Sequence, residues 1–184
     1  MRKAIYFPSL PVLQPYFQVP AEKFSGTAIT FEGWIKPRYN PGAYRGQHLL
    51  LHYRVAFYPV TVSATQFRLL VRNTSGDSYY TSTFGSWDTW YHIAGVFRDN
   101  GNITVYKNGT LFETYGPSGP LSSSTYLTIG AYSSNLKWNY QYKGLLGEFS
   151  LWDRELTAEE ISQRYQGSMI ADQTGIIGWY KMEE

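Results

Sequence analysis

Trp90-Tyr91-His92-Ile93-Ala94-Gly95-Val96-Phe97-Arg98-Asp99-Asn100-Gly101-Asn102-Ile103-Thr104-Val105-Tyr106-Lys107-Asn108-Gly109-Thr110-Leu111-Phe112 holds two strand-like runs, each ended by turn residues. Trp90 to Phe97 and Ile103 to Lys107 are rich in aromatic and β-branched side chains, which fit a pleated surface better than a helix. Asn108-Gly109, between Val105-Tyr106 and Leu111-Phe112, is a strong two-residue hairpin signal because both residues tolerate positive φ. Asp99-Asn100-Gly101-Asn102 reads as a hairpin turn held by Asx side chains.

The same punctuation extends in both directions. Alternation is clearest from His48 to Tyr58, where Leu49, Leu51, Tyr53, Val55 and Phe57 fall on one side and His48, His52 and Arg54 on the other. Further short runs occur at Thr27 to Ile35, Gln66 to Arg72, Tyr126 to Gly130, Lys143 to Trp152 and Ile176 to Met182. Asn73-Thr74-Ser75-Gly76-Asp77 and Gly116-Pro117-Ser118-Gly119-Pro120 add two more turns. One segment differs. Thr157-Ala158-Glu159-Glu160 is a capping box and predicts a short helix from Ala158 to about Gln166, stopped by Gly167. Ile161 and Tyr165, four apart, would seat it against a sheet edge or the sandwich rim. Many short strands with one late helix predict an all-β fold of two packed antiparallel sheets. No repeat or linker divides the chain, so residues 1–184 read as one domain.

Composition agrees and narrows the function. The 184 residues include 17 Tyr, 10 Phe and 6 Trp, and are 43% apolar and 16% charged, which suits a packed core. Sixteen Lys and Arg against 14 Asp and Glu leave a net charge of +2, too little to predict nucleic acid as a partner. The absence of cysteine excludes disulfides, thiolate metal sites and cysteine nucleophiles. Pro8, Pro11 and Pro15 interrupt the first apolar stretch, so no signal peptide is expected in this chain. No apolar run approaches the ~20 residues of a membrane span, so membrane insertion is not expected either.

The order of the segments resembles the concanavalin A-like lectin and glucanase superfamily, in its laminin-G-like branch. Ala4-Ile5-Tyr6-Phe7 resembles the opening strand, and Thr27-Ala28-Ile29-Thr30-Phe31-Glu32-Gly33-Trp34-Ile35-Lys36-Pro37 the strand ending in Trp, Ile or Val, Lys and Pro. Trp90-Tyr91-His92-Ile93-Ala94 is similar to the Trp-x-His strand, and Tyr106-Lys107-Asn108-Gly109 to the hairpin that follows; Leu127-Thr128-Ile129-Gly130 comes next. Tyr142 to Ile161 resembles the strand-to-helix closing segment, and Ile177 to Met182 the last strand. The resemblance implies a jelly-roll sandwich of the concanavalin A type. It does not choose among lectins, hydrolases and adhesion modules.

Departures from the family pattern bear on that choice. Pro8-Ser9 and Gly147-Glu148 stand where relatives often have Asp, which weakens an expectation of calcium, so no cofactor is predicted. Glucanases of the superfamily carry Glu-x-Asp-x-x-Glu on one strand, whereas here Glu148 is followed by Ser150 and Asp153. Asp153 would face the other side of a straight strand. No Gly-x-Ser-x-Gly elbow or acid-His-Ser order occurs. His48 and His52 would sit ~13 Å apart on one strand, too far for one metal; His92 from another strand makes a site conceivable, but three partly buried, hydrogen-bonded histidines are the expected reading. A non-catalytic protein is expected, with a glycoside hydrolase as the weakest alternative.

Two loops offer a binding surface. Residues 132–142 alternate aromatics with amides, putting forward Tyr132, Asn135, Lys137, Trp138 and Tyr140; residues 37–46 put forward Tyr39, Tyr44 and Arg45. Flat rings and oriented polar groups suit sugars, and the same residues suit a protein surface. Trp138 and Tyr140 would alternatively begin a strand and pack inward. The leading reading is a module that recognises glycans or a cell-surface ligand through loops at the sandwich end. The alternative is a docking component of a larger assembly, such as a phage or virus particle, or a homo-oligomer. Either places the domain outside a cell or on a virion surface. Asn73, Asn102 and Asn108 match glycosylation acceptors, although each already has a turn explanation.

Overall fold

A computed structural model describes residues 5–7, 17–20, 27–39, 50–52, 55–72, 78–116, 126–130 and 142–181. Among them are thirteen strands: β1 (Ile5–Phe7), β2 (Phe17–Pro20), β3 (Ala28–Pro37), β4 (Leu50–His52), β5 (Val55–Thr61), β6 (Gln66–Arg72), β7 (Ser78–Ser86), β8 (Tyr91–Arg98), β9 (Ile103–Lys107), β10 (Thr110–Tyr115), β11 (Tyr126–Ile129), β12 (Gly144–Trp152) and β13 (Ile176–Tyr180), with one helix, α1 (Ala158–Tyr165), before the last. They form two antiparallel sheets. Sheet A runs β1-β12-β3-β8-β9-β10, with β13 also on β12, and sheet B runs β2-β11-β4-β5-β6-β7. The fold is the expected jelly-roll sandwich.

The sheets meet over one apolar layer. Phe31 and Ile35 from β3, Ile93 and Phe97 from β8, and Leu146, Phe149 and Leu151 from β12 face Phe67, Leu69, Phe84, Leu127 and Ile129 of sheet B. Burying each such side chain stabilises the fold by roughly 1.5–3 kcal/mol.

The hairpin forms as its residues dictate: Asn108 and Gly109 take φ of 51° and 77° between Lys107 and Thr110, which pair. At the preceding turn Asn100 Oδ1 accepts the Asn102 N–H at 3.0 Å.

One expectation is corrected and one is extended. The run from His48 to Tyr58 is not one strand: β4 and β5 pair with each other, His52 opposite Val55 and Leu50 opposite Phe57, so the chain reverses between them. Helix α1 has the predicted capping box, with Thr157 accepting from Glu160 N, and it touches the edge strand β10 as expected. It also reaches over the outer face of sheet A. Its Ile161 joins a second apolar cluster with Ala94, Val96, Tyr106, Trp152, Leu156 and Ile170. β8 is therefore buried on both faces, and its Ile93-Ala94-Gly95-Val96-Phe97 is continuously apolar rather than alternating.

Candidate functional site

At one pole of the sandwich the chain passes from sheet A to sheet B after β1 and after β3, and from sheet B back to sheet A after β11. Gly144 pairs with both Phe7 and Pro37, while Ile129 pairs with both Phe17 and Leu50, so the strand ends that root these passages gather within each sheet. The segments singled out by sequence, residues 37–46 and 132–142, adjoin these strand ends, and their residues 40–46 and 132–141 lie outside the described residues. Gly144 suits its place: its φ is +146°, and a Cβ there would lie 2.9 Å from Pro37 Cα.

Short hydrogen bonds tie the roots. Arg38 N donates to Lys143 O at 2.9 Å, Tyr142 N to Gly130 O at 3.0 Å and Asp88 N to Pro37 O at 2.8 Å. Asp88 adopts φ of 57°, a left-handed conformation in which Asp is among the more tolerated residues. Tyr142 is fully buried, and burial raises its phenol well above the ordinary range.

Tyr39 is the one predicted binding residue within the described chain, and it lies at this pole. It is 38% exposed. Its ring sits 5.8 Å from that of Trp87, which lies 5.0 Å from Phe67, itself 5.6 Å from Phe84. Trp87 is fixed by its indole N–H, which donates to Ser63 O at 3.0 Å. An exposed phenol thus rests on a buried aromatic column. Beside it Arg38 and Asp88 form an exposed pair at 3.6 Å, a contact of little stabilising value. Tyr44, Arg45, Tyr132, Asn135, Lys137, Trp138 and Tyr140 lie outside the described residues, as does His48.

The outer face of sheet A holds polar chemistry that the sequence reading missed. Glu32, on β3, is fully buried: its Oε2 accepts a hydrogen bond from His92 Nε2 at 2.8 Å, and its Oε1 accepts from Arg164 Nε at 2.9 Å and from the Ser150 hydroxyl. Trp152 Nε1 donates onward to Ser150 Oγ at 2.6 Å. Burial pushes the Glu32 carboxyl up, but the His92 hydrogen bond, the Arg164 charge and the other donors outweigh it and hold it below the ordinary value. Arg164 also reaches Glu148 at 3.0 Å. Serine, histidine and glutamate do meet here. However, serine and histidine both bond to the glutamate rather than to each other, so no acid-His-Ser relay forms, and all three are buried.

A polar groove of about 440 Å³ lies at the opposite pole, lined by Arg98, Asp99, Asn100, Asp153, Arg154 and Glu155. Its guanidiniums are engaged, Arg98 by Glu155 and Arg154 by Glu160.

The laminin-G model of the concanavalin A-like lectin/glucanases superfamily matches residues 13–162. The chain belongs to that superfamily. The laminin-G-like domain is 33% identical over 85 residues to the human adhesion G-protein coupled receptor D1, a match covering 44% of the domain and only 9% of the receptor. In structure it resembles the native heptameric SAP-like pentraxin of Limulus polyphemus, with a TM-score of 0.73 at 18% identity, over 97% of the domain and 88% of the pentraxin. It also resembles domain 4 of an extracellular arabinanase from Geobacillus stearothermophilus, solved with arabinotriose, with a TM-score of 0.61 at 18% identity over 87% of the domain and 75% of that chain. These structural likenesses establish the fold.

Proposed function

We propose that the laminin-G-like domain is a non-catalytic, extracellular binding module that recognises a glycan or cell-surface ligand at the pole where β1, β3 and β11 end and β2, β4 and β12 begin. The observation that carries this reading is the shared root. Registers at Gly144 and Ile129 gather the strand ends that these aromatic, amide-bearing segments adjoin in the chain, and the exposed Tyr39 beside Pro37 stands on a buried aromatic support. Loops on a fixed scaffold are where binding residues concentrate. Tyr39, Tyr44, Arg45, Tyr132, Asn135, Lys137, Trp138 and Tyr140 are the residues assigned to it. The arabinotriose-bound neighbour and the adhesion-receptor relative support a ligand-binding, extracellular role. The engaged state of Glu32 supports the absence of catalysis.

A glycan array followed by titration tests the proposal. Binding at millimolar affinity or better, lost in Trp138→Ala and weakened in Tyr39→Ala, is the expected result. Absence of any glycan signal, together with a stable complex or symmetric oligomer on sizing, would replace this reading with the docking alternative.

A further inference from the structure

We infer that the outer face of sheet A carries a second saccharide site, for a neutral, hydroxyl-rich sugar, centred on Glu148 and separate from the pole. A β-bulge creates it: Leu146 pairs with Ile35 and Phe149 with Gly33, so Gly147 and Glu148 together face Trp34 alone. The extra residue turns Glu148 away from the inner layer that holds Leu146 and onto the Ser150 side, the kind of re-aiming that bulges produce.

Glu148 is clamped through one oxygen. Its Oε1 accepts from Arg164 Nη2 at 3.0 Å and from the Trp179 indole at 2.6 Å. Among the described residues its Oε2 accepts from no donor, and the side chain is 40% exposed. A carboxylate fixed in this way is a pre-oriented acceptor for adjacent hydroxyls, and its side-chain entropy is already spent. The exposed Lys181 ammonium, 4.2 Å from the Trp179 ring centroid, supplies a donor beside it. On the other flank the buried Gly147 lets two indoles close over the strand: a Cβ there would come within 3.0 Å of Trp34 Cβ and 3.5 Å of Trp90 Cζ3. Both of those indoles are half-buried, as is Trp179.

Charge selects the ligand class. Arg164 and Lys181 oppose a cation, and Glu148 with Glu32 behind it opposes an acidic sugar. Tyr165 stacks on Trp34, and Arg164 and Lys181 lie over Trp179, so the half-buried Trp90 is the indole left for a C–H face. A neutral sugar matches the set, because its hydroxyls use both the free acceptor and the ammonium while its C–H face meets Trp90.

The test follows the Trp179 indole N–H, identified by its loss in Trp179→Phe, in two-dimensional NMR of the whole chain. The probes are methyl glycosides of glucose, galactose and mannose, and cello-, xylo- and laminari-tetraose. At least one should shift that signal saturably. Its affinity should fall about tenfold or more in Glu148→Gln, whose amide oxygen can still accept from Arg164 and Trp179, and should fall in Lys181→Ala, an exposed site that leaves the fold intact. It should be unchanged in Trp138→Ala, which acts at the pole. No saturable shift with any probe up to ~50 mM, or equal affinity in Glu148→Gln, overturns the inference and leaves the pole reading untouched.

Discussion

Replacing Arg164 by Met would remove a guanidinium that is 6% exposed and joins a carboxylate that is 1% exposed to a second carboxylate at the surface. Glu32 would then keep only His92 and Ser150. Breaking a buried pair from one side costs about 3–5 kcal/mol, because the remaining charge stays buried. For a chain of this length that corresponds to a fall in Tm of roughly 6–20 °C. The pH dependence sharpens the expectation. In the native protein the folded Glu32 pKa is lowered from 4.5, so its contribution is present above that value and lost as pH falls through the folded value beneath it. Without Arg164, burial presses upward against fewer opposing groups and the folded pKa rises. Acidification then neutralises the stranded carboxylate while the variant is still folded. The stability gap between native protein and variant should narrow as pH drops from 7 to 4. Urea denaturation at several pH values measures this, and Glu32→Gln combined with Arg164→Met should recover part of the loss. A cost below ~1 kcal/mol at pH 7, or a gap independent of pH, would refute the reasoning.

Two further expectations are simpler. Gly109→Ala forces a side chain onto φ of +77° and sets a Cβ 2.9 Å from Tyr165 Cδ1, so it should destabilise by about 1–2 kcal/mol or more; a loss under ~0.5 kcal/mol in urea melts would contradict this. Calcium is not expected to contribute: thermal melts with and without chelator should agree within about 1 °C, and a drop of several degrees would reverse that expectation.

Most strand segments, the hairpin and the capped helix were legible because each is written in adjacent residues, whereas the order of the strands within the sheets was not. Gln66–Arg72 and Ile103–Lys107 match their predicted bounds, since polar turn residues stop the pattern on either side. What escaped notice depends on contacts distant in sequence. Glu32 sits in an otherwise apolar run, and its partners His92, Ser150 and Arg164 are 60, 118 and 132 residues away. An acidic residue amid a buried strand was one available signal. The helix face was also readable in part: Ile161, Arg164 and Tyr165 share it, and Tyr165 stacks 5.6 Å from Trp34. That an arginine lay among them pointed toward a buried carboxylate rather than an apolar edge. The Glu148 bulge left no local trace except Gly147.

The two surfaces lean on different halves of the molecule. Tyr39 rests on Trp87 and Phe67, part of the layer between the sheets, whereas Glu148 is held by Arg164 of the helix and Trp179 of β13. A perturbation of the outer layer therefore reaches them unequally. Loss of Arg164 takes one of two anchors from Glu148 and frees its carboxylate to turn, yet it leaves every hydrogen bond at the roots of the crossing segments in place. Binding at the pole should then persist in the folded fraction while the Glu148 face weakens. Covering one face of sheet A with a polar-anchored helix thus gives the domain a stabilising layer whose chemistry is separable from that of its loops.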